Sequence, residues 1–171
     1  MLTENGQLVE VTQEMIAPHL LIHIMFTYFY DAFQECILGP SDALPKFWDD
    51  MIGNPMVEQG ITDIPDYRTK FVPMKIHGDG IVCVGRGQTW QRSFDTWSFS
   101  SMVSSATISL LANFLIWSFN QTLAAKRFGN DTCRTFFRIL CWSLLMCFEG
   151  KFSDLDWKGR LYEVAFVPFF C

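Results

Sequence analysis

The feature that most constrains the fold is a change in the spacing of apolar residues at Phe71. Before it, apolar positions recur at helical spacing, and after it they alternate with polar residues or form short runs. Alternation puts one kind of residue on each face of an extended chain, so it predicts strands. The strand pattern covers residues 74–77, 81–84 and 96–103. Because glycine-rich turns join these runs, we expect a three-stranded antiparallel meander.

Helical patterns lie on both sides of the predicted strands, over residues 12–37, 46–52 and 131–148. The first has Thr12 as a candidate N-cap, and Gly39 followed by proline ends it. Residues 39–69 are rich in proline and glycine, which favours turns. We therefore expect a helical and irregular segment over residues 1–70 and an α+β domain over residues 71–171. Residues 108–119 fit a fourth strand or a buried helix equally well, and residues 162–170 look like the start of another strand.

The composition predicts a folded domain that exposes apolar surface. Of 171 residues, 50% are apolar, 16% aromatic and 18% charged, which argues against disorder and suits one domain. So many aromatic side chains leave an apolar patch for a second copy, a membrane or a missing C-terminal half. The net charge of −5 provides no broad basic field, so binding of DNA would need a local basic patch.

The cysteines and the N-terminus point to an intracellular protein. None of the six cysteines forms a CxxC pair, so a zinc ribbon is not supported. The N-terminus lacks a basic segment followed by an apolar one, so it does not resemble a secretory signal. Reduced and mostly buried thiols are the simplest interpretation.

A membrane protein is the competing interpretation, because residues 96–125 contain no charged side chain. That length would cross a bilayer. The stretch is rich in serine, threonine and asparagine, however, and only residues 108–119 are densely apolar. A run of that length is more often a buried core segment. A Phe-rich, non-enzymatic membrane or interaction protein stays as the alternative to an enzyme.

Asp79 is the candidate for chemistry, because it stands alone between Gly78 and Gly80 in an apolar run. Asp between glycines is typical of a turn. In a ribonuclease H-like domain, three antiparallel strands come first and the first of them carries a metal-binding carboxylate. A carboxylate at a strand end is held rigidly for a hard cation such as Mg²⁺ or Mn²⁺. The spacing alone favours the turn, whereas the order of predicted elements points to the metal-binding position.

Three stretches carry a resemblance to a known family: VPMKIHGDGIVCVGRGQTW, SFDTWSFSSM and RILCWSLLMCFEGKFSDLDWKGRLY. They resemble repeated open reading frames of protist genomes that are similar to DDE-type transposases. The resemblance covers about residues 72–162 and implies DNA as partner, a nuclear location and Asp79 as the first metal carboxylate. In that family a GDLD-type acidic motif and a cysteine-rich segment lie downstream. We therefore expect a truncated and catalytically incomplete domain.

A site for two metal ions needs more than one carboxylate. Asp95 precedes the third predicted strand and could approach Asp79 across the sheet. Asp156, with Asp154, is another candidate ligand, although Asp-x-Asp is also an ordinary solvated turn. His77 could assist proton transfer if the strand stays regular through Gly78. The predicted catalytic residues are thus Asp79, Asp95 and His77, and the predicted metal ligands are Asp79, Asp95 and Asp156.

Two other groups of residues have simpler interpretations. His19 and His23 are one helical turn apart, but they lie in an apolar helix without the glutamate of a zincin motif, which favours core histidines. Six basic residues flank the predicted sheet and could meet phosphates, although solvated charges are commoner. They are Arg86, Arg92, Lys126, Arg127, Arg134 and Arg138.

Overall fold

The protein is a mixed α+β structure with a three-stranded antiparallel sheet. The computed structural model describes residues 2–4, 7–9, 13–58, 60–83, 92–108, 112–120, 131–150 and 155–160. The strands are β1 (Leu2–Glu4), β2 (Gln7–Val9), β3 (Met74–Cys83), β4 (Arg92–Ser101) and β5 (Phe114–Asn120). The helices are α1 (Pro18–Tyr28), α2 (Tyr30–Phe33), α3 (Ala43–Asp50), α4 (Pro55–Glu58), α5 (Tyr67–Lys70) and α6 (Asp131–Glu149), with a π-helical turn at Gln34–Leu38.

The main sheet has the order β3-β4-β5, with antiparallel neighbours, while β1 and β2 form a separate hairpin. The register between β3 and β4 is continuous from Met74 opposite Ser101 to Cys83 opposite Arg92. Between β4 and β5 the register shifts at Trp97 and Ser98. The predicted meander is therefore confirmed as a three-stranded antiparallel sheet.

The strands differ from the prediction in one important way. Residues 74–77 and 81–84 were expected to be two strands, but β3 continues without a break from Met74 to Cys83. Asp79 and its flanking glycines lie within this strand, so the turn interpretation is wrong, and so is the expected position of Asp79 at the end of a strand. The third strand of the sheet is instead β5. Of the two alternatives for residues 108–119, a strand and a buried helix, the structure therefore has the strand.

The predicted helices are found with changed boundaries. The first begins at Pro18 rather than near residue 12, because Pro at the first helical position needs no backbone N–H partner there. It is interrupted at Phe29, whose φ of −133° and ψ of 53° are not helical, so the single helix expected over residues 12–37 is divided there. α2 and the π-helical turn then continue to Gly39, whose φ of 66° ends the helix as predicted. α6 spans almost the expected residues and ends before Gly150, which has a φ of 63°.

Alternation gives the sheet two contrasting faces. Residues directly opposite in an antiparallel pair share a face. The aromatic face, as we call it, carries Trp97, Phe99, Trp117 and Phe119, and the polar face carries Lys75, His77, Asp79, Thr96 and Ser98. On the aromatic face three of the four rings are at least 95% buried, and on the polar face the three β3 side chains are exposed. Around Asp79 the faces therefore separate the core from solvent, whereas at the other end of the pair Ile76 on the aromatic face is 43% exposed and Ser100 on the polar face is 2% exposed.

Helix α6 covers the aromatic face and forms the centre of the core with it. The Phe136 ring stacks on Trp117, with centroids 4.4 Å apart, and also meets Trp97 at 5.7 Å. Phe136 and Leu140 are 3% and 1% exposed. Full burial of such large apolar side chains contributes about 1.5–3 kcal/mol each, so this helix–sheet contact is a main stabilising element.

Helix α1 packs across α6 through a buried polar contact. The Ser143 Oγ lies 2.8 Å from His19 Nδ1 and accepts the His19 backbone N–H at 3.2 Å. The His19 ring also meets the edge of Trp142 at 4.8 Å. His19 and Ser143 are fully buried, which confirms that His19 is a core histidine. Burial lowers the pKa of His19, and the nearby His23 lowers it further.

Several predictions fall outside the described residues: the Thr12 cap, the strand at residues 162–170, Asp154, and Arg86, Lys126 and Arg127. Within the described ranges, no helix combines the length and apolarity needed to cross a bilayer.

Candidate functional site

Asp79 lies in the middle of β3 on the polar face of the sheet, where its side chain is exposed. Thr96 stands directly opposite it on β4. The Thr96 hydroxyl donates a hydrogen bond to the Asp79 backbone carbonyl oxygen at 3.2 Å. This contact fixes the backbone at Asp79, while the carboxylate projects from a paired strand towards solvent. The backbone that carries this carboxylate is rigid, and the carboxylate itself is accessible to a cation.

The glycine before Asp79 is explained by the opposite face of the strand, and the glycine after it is not. The Trp97 indole lies over Gly78, where an added Cβ would come within 2.6 Å of the ring. Gly80 is opposite Asp95, and an added Cβ there would meet Asp95 Oδ1 at 3.6 Å, an ordinary contact. Glycine at 78 is thus a packing requirement of Trp97, since a strand glycine permits close approach of another group.

His77 shares the polar face with Asp79. The register stays regular through Gly78, which was the condition for the two side chains to point the same way. Two residues along a strand are about 6.6 Å apart, so an ion or a water could contact both side chains. Ser98 lies opposite His77 and adds a hydroxyl to the same face.

Asp95 lies on the other face of the sheet. It is opposite Gly80 and next to Thr96, so its side chain projects away from that of Asp79. There it lies near the first turn of α6, where burial and then the charge of Asp95 raise the pKa of the Cys133 thiol. The structure therefore does not bring Asp79 and Asp95 together, because the expected approach across the sheet ignored the alternation of faces.

Asp156 organises a turn. One of its carboxylate oxygens accepts the backbone N–H groups of Lys158 and Arg160 at 2.8 and 2.9 Å. The other accepts Nε and Nη2 of the Arg160 guanidinium at 2.8 and 2.7 Å. The backbone N–H of Arg160 is the main cause of the lowered pKa of Asp156, and the guanidinium adds to it. With both oxygens engaged in its own loop, Asp156 fits a turn residue better than a metal ligand.

The predicted ligands do not converge within the described part of the chain. Among those residues, no group of three or more His, Cys, Asp or Glu side chains is placed to hold a metal ion. What the structure provides is a pair on one face, Asp79 and His77.

Sequence reasoning missed a second feature, formed where α6 meets the loop at residues 155–160. Trp157 lies against Arg138, with the guanidinium carbon 5.5 Å from the ring centroid. Arg134 and Arg138 were expected on one face of the helix and as possible phosphate contacts, while Trp157 was part of a stretch that carries the resemblance and had no predicted role. The spacing of four residues between Arg134 and Arg138 predicts that both lie on one face of the helix. The contact with the loop is non-local and left no pattern in the sequence.

Comparison of this chain with protein-family models, with curated proteins and with solved structures finds no match.

Proposed function

We propose that residues from 71 onward belong to a ribonuclease H-like domain for polynucleotidyl transfer, derived from a mobile element. The supporting observation is the position of Asp79, in the first strand of a three-stranded antiparallel meander that a helix covers on the opposite face. In this proposal Asp79 is the first carboxylate for Mg²⁺ or Mn²⁺. DNA as partner and a nuclear location belong to the same proposal.

The chemistry of the donor set limits what this part of the chain does alone. A carboxylate suits a hard divalent cation, which activates a water or hydroxyl and stabilises the leaving oxygen in phosphodiester chemistry. Asp79 and His77 offer two side chains, whereas a hard cation takes about six ligands. Water and further carboxylates must supply the rest. We therefore expect weak metal binding and no strand cleavage from the described residues alone.

Binding of Mn²⁺, measured by titration calorimetry, tests the proposal. Asp79→Asn keeps the size of the side chain and removes its charge, so it should abolish the binding isotherm. Asp95→Asn is the matched control, because it makes the same chemical change on the face of the sheet that points away from Asp79. It should leave the isotherm unchanged. An Asp79→Asn isotherm equal to that of the parent protein would remove Asp79 from any metal site and overturn the proposal.

A second candidate function, protein or membrane association without catalysis, is favoured by the aromatic surface at the end of α1. Tyr28, Phe29 and Phe26 are 65%, 59% and 54% exposed. Exposed apolar side chains that lie close together often mark a surface that binds a partner protein or a membrane. Phase separation in a mild detergent distinguishes the nuclease-like domain from membrane association. Stable transfer into the detergent phase supports membrane association and contradicts the nuclease-like domain, and recovery in the aqueous phase contradicts membrane association.

A further inference from the structure

A groove on the outer side of α6 is separate from Asp79 and has its own chemistry. We call it the Arg–Trp groove; it is lined by Arg134, Phe137, Arg138, Cys141, Trp142 and Trp157, and its volume is about 560 Å³. That volume lies within the range of ligand sites in proteins, about 300–1,000 Å³. The groove is open to solvent along the helix.

The groove is positively charged although the whole chain has a net charge of −5. Arg134 and Arg138 are exposed and one helical turn apart. Neither forms a salt bridge with an acidic side chain in the described part of the chain. Arg160 is the contrast, because its guanidinium is neutralised by Asp156 at 2.7 Å. Two forked guanidinium groups without carboxylate partners are suited to bind phosphate.

An aromatic ring is held beside these charges. The turn that Asp156 organises carries Trp157 next to Lys158, whose Nζ is 4.9 Å from the ring centroid. Arg138 approaches the same ring at 5.5 Å. Since both oxygens of Asp156 are bonded within the loop, the backbone that carries Trp157 is held in place, and Arg138 and Lys158 contact the indole itself. A preorganised ring loses little conformational entropy on binding.

We propose that the Arg–Trp groove binds single-stranded polynucleotide, with phosphates on Arg134 and Arg138 and a base stacked on Trp157 in place of the Lys158 ammonium, which moves from the ring to a phosphate. Basic side chains along a groove, interleaved with aromatic rings, match the backbone charge and the flat bases of a single strand. An acidic peptide would use the charges but has no flat base for the tryptophan face, and an anionic membrane, whose interface accepts tryptophan, is separated by the vesicle test below. The inference rests on the proposed function for its class of ligand, but it involves different residues and needs no metal.

Fluorescence anisotropy of a labelled single-stranded DNA of about 12 nucleotides tests the charged part of the groove. Each phosphate contact to a single strand contributes about 0.7 to the slope of log affinity against log salt. The double change Arg134→Gln with Arg138→Gln should therefore lower that slope by about 1.4 and weaken binding at low salt. Circular dichroism melting checks that the variant stays folded.

Arg68→Gln is the matched control for charge. Arg68 is exposed and also lies over an aromatic ring, 5.9 Å from the centroid of Tyr67, but it is paired with Asp49 at 3.0 Å. Its replacement should leave the affinity and the salt slope unchanged. An equal loss from Arg68→Gln, or no loss from the Arg134 and Arg138 change, overturns the groove as a binding site.

The stacking part has its own test. Trp157→Ala should weaken binding about fivefold or more, and Trp157→Phe should restore much of it, because stacking on one base is lost and then regained. An abasic oligonucleotide of the same length should bind the parent protein as weakly as the normal strand binds Trp157→Ala. Equal binding of abasic and normal strands would overturn base stacking.

The outcomes separate this inference from the proposed function. Asp79→Asn should bind the labelled strand as the parent does, and the double arginine variant should keep its Mn²⁺ isotherm. Loss of Mn²⁺ binding at Asp79 together with unchanged DNA binding by the arginine variant would refute the groove alone. Binding of phosphatidylserine vesicles that depends on both arginines, without binding of DNA, would assign the groove to an anionic membrane and overturn the inference.

Discussion

The two faces of the β3-β4-β5 sheet are built from the same strands and have opposite chemistries. On the aromatic face, Trp97 and Trp117 pack under Phe136 of α6. On the polar face, His77 and Asp79 are exposed, and no helix covers them among the described residues. The difference shows that stability and candidate chemistry can occupy alternate residues of one strand. Each can therefore be changed with little effect on the other.

The largest expected effect comes from removing the ring that joins α6 to the aromatic face. Phe136→Ala should lower the free energy of unfolding by about 3–5 kcal/mol, because it removes a buried ring and leaves a cavity. Phe137→Ala is the neighbouring control and should cost about 1–2 kcal/mol, since Phe137 is 39% exposed. Urea unfolding measures both. Equal losses would mean that the aromatic face is not the main core.

The next effect tests the contact between Trp97 and the glycine beneath it. Gly78→Ala should destabilise the protein by about 1–3 kcal/mol, because the new methyl group collides with the indole. Gly80→Ala should cost less than about 1 kcal/mol, since its methyl group meets only an ordinary contact. Thermal melting followed by tryptophan fluorescence compares the two. If Gly80→Ala proves the more damaging, the glycines do not serve Trp97.

Lowering the pH should lower the free energy of unfolding through His19, which is buried between α1 and α6. Its pKa in the folded protein lies below its ordinary value of 6.5, mainly because of burial. The unfolded chain therefore takes up a proton first as the pH falls below about 6.5, and the free energy of unfolding falls with it. Urea unfolding at about pH 7.5 and pH 5.5 should show this loss, and it should shrink in His19→Asn. The same pH dependence in both proteins would exclude His19 as its source.

The smallest effect on stability is expected on the polar face. Asp79→Asn should change the free energy of unfolding by less than about 0.5 kcal/mol, because the side chain is exposed and its backbone hydrogen bond with Thr96 remains. Lys75→Gln, on the same face, should behave alike. A large loss from Asp79→Asn would give Asp79 a structural role and remove the separation between the faces.

Local patterns predicted the elements well where one residue type decides them. Gly39 ended the first helix, and the helical pattern over residues 131–148 matched the extent of α6, whose buried face runs through Phe136, Leu140 and Ser143. Gly78 and Gly80 misled, because a glycine in a turn and a glycine beneath a tryptophan look alike in a sequence. Only the partner strand, with Trp97 opposite Gly78, distinguishes them.

The candidate site was predicted less completely because it depends on pairing between distant residues. Asp79 and His77 belong to one strand, so their shared face followed from spacing. Placing Asp95 required the register of β4 against β3, and a shift of one residue would have reversed its face. Trp157 against Arg138 required the position of a loop on a helix, which no periodicity encodes.

The continuous register of β3 also decides which mutations the chain tolerates over evolution. Replacements at Lys75, His77 or Asp79 change one exposed side chain each. Insertion or deletion of a single codon early in β3 would move every later side chain of the strand to the opposite face of the sheet. The Asp79 carboxylate would then lie on the face that carries Trp97. We therefore expect length in this strand to be under far stronger selection than residue identity on its open side.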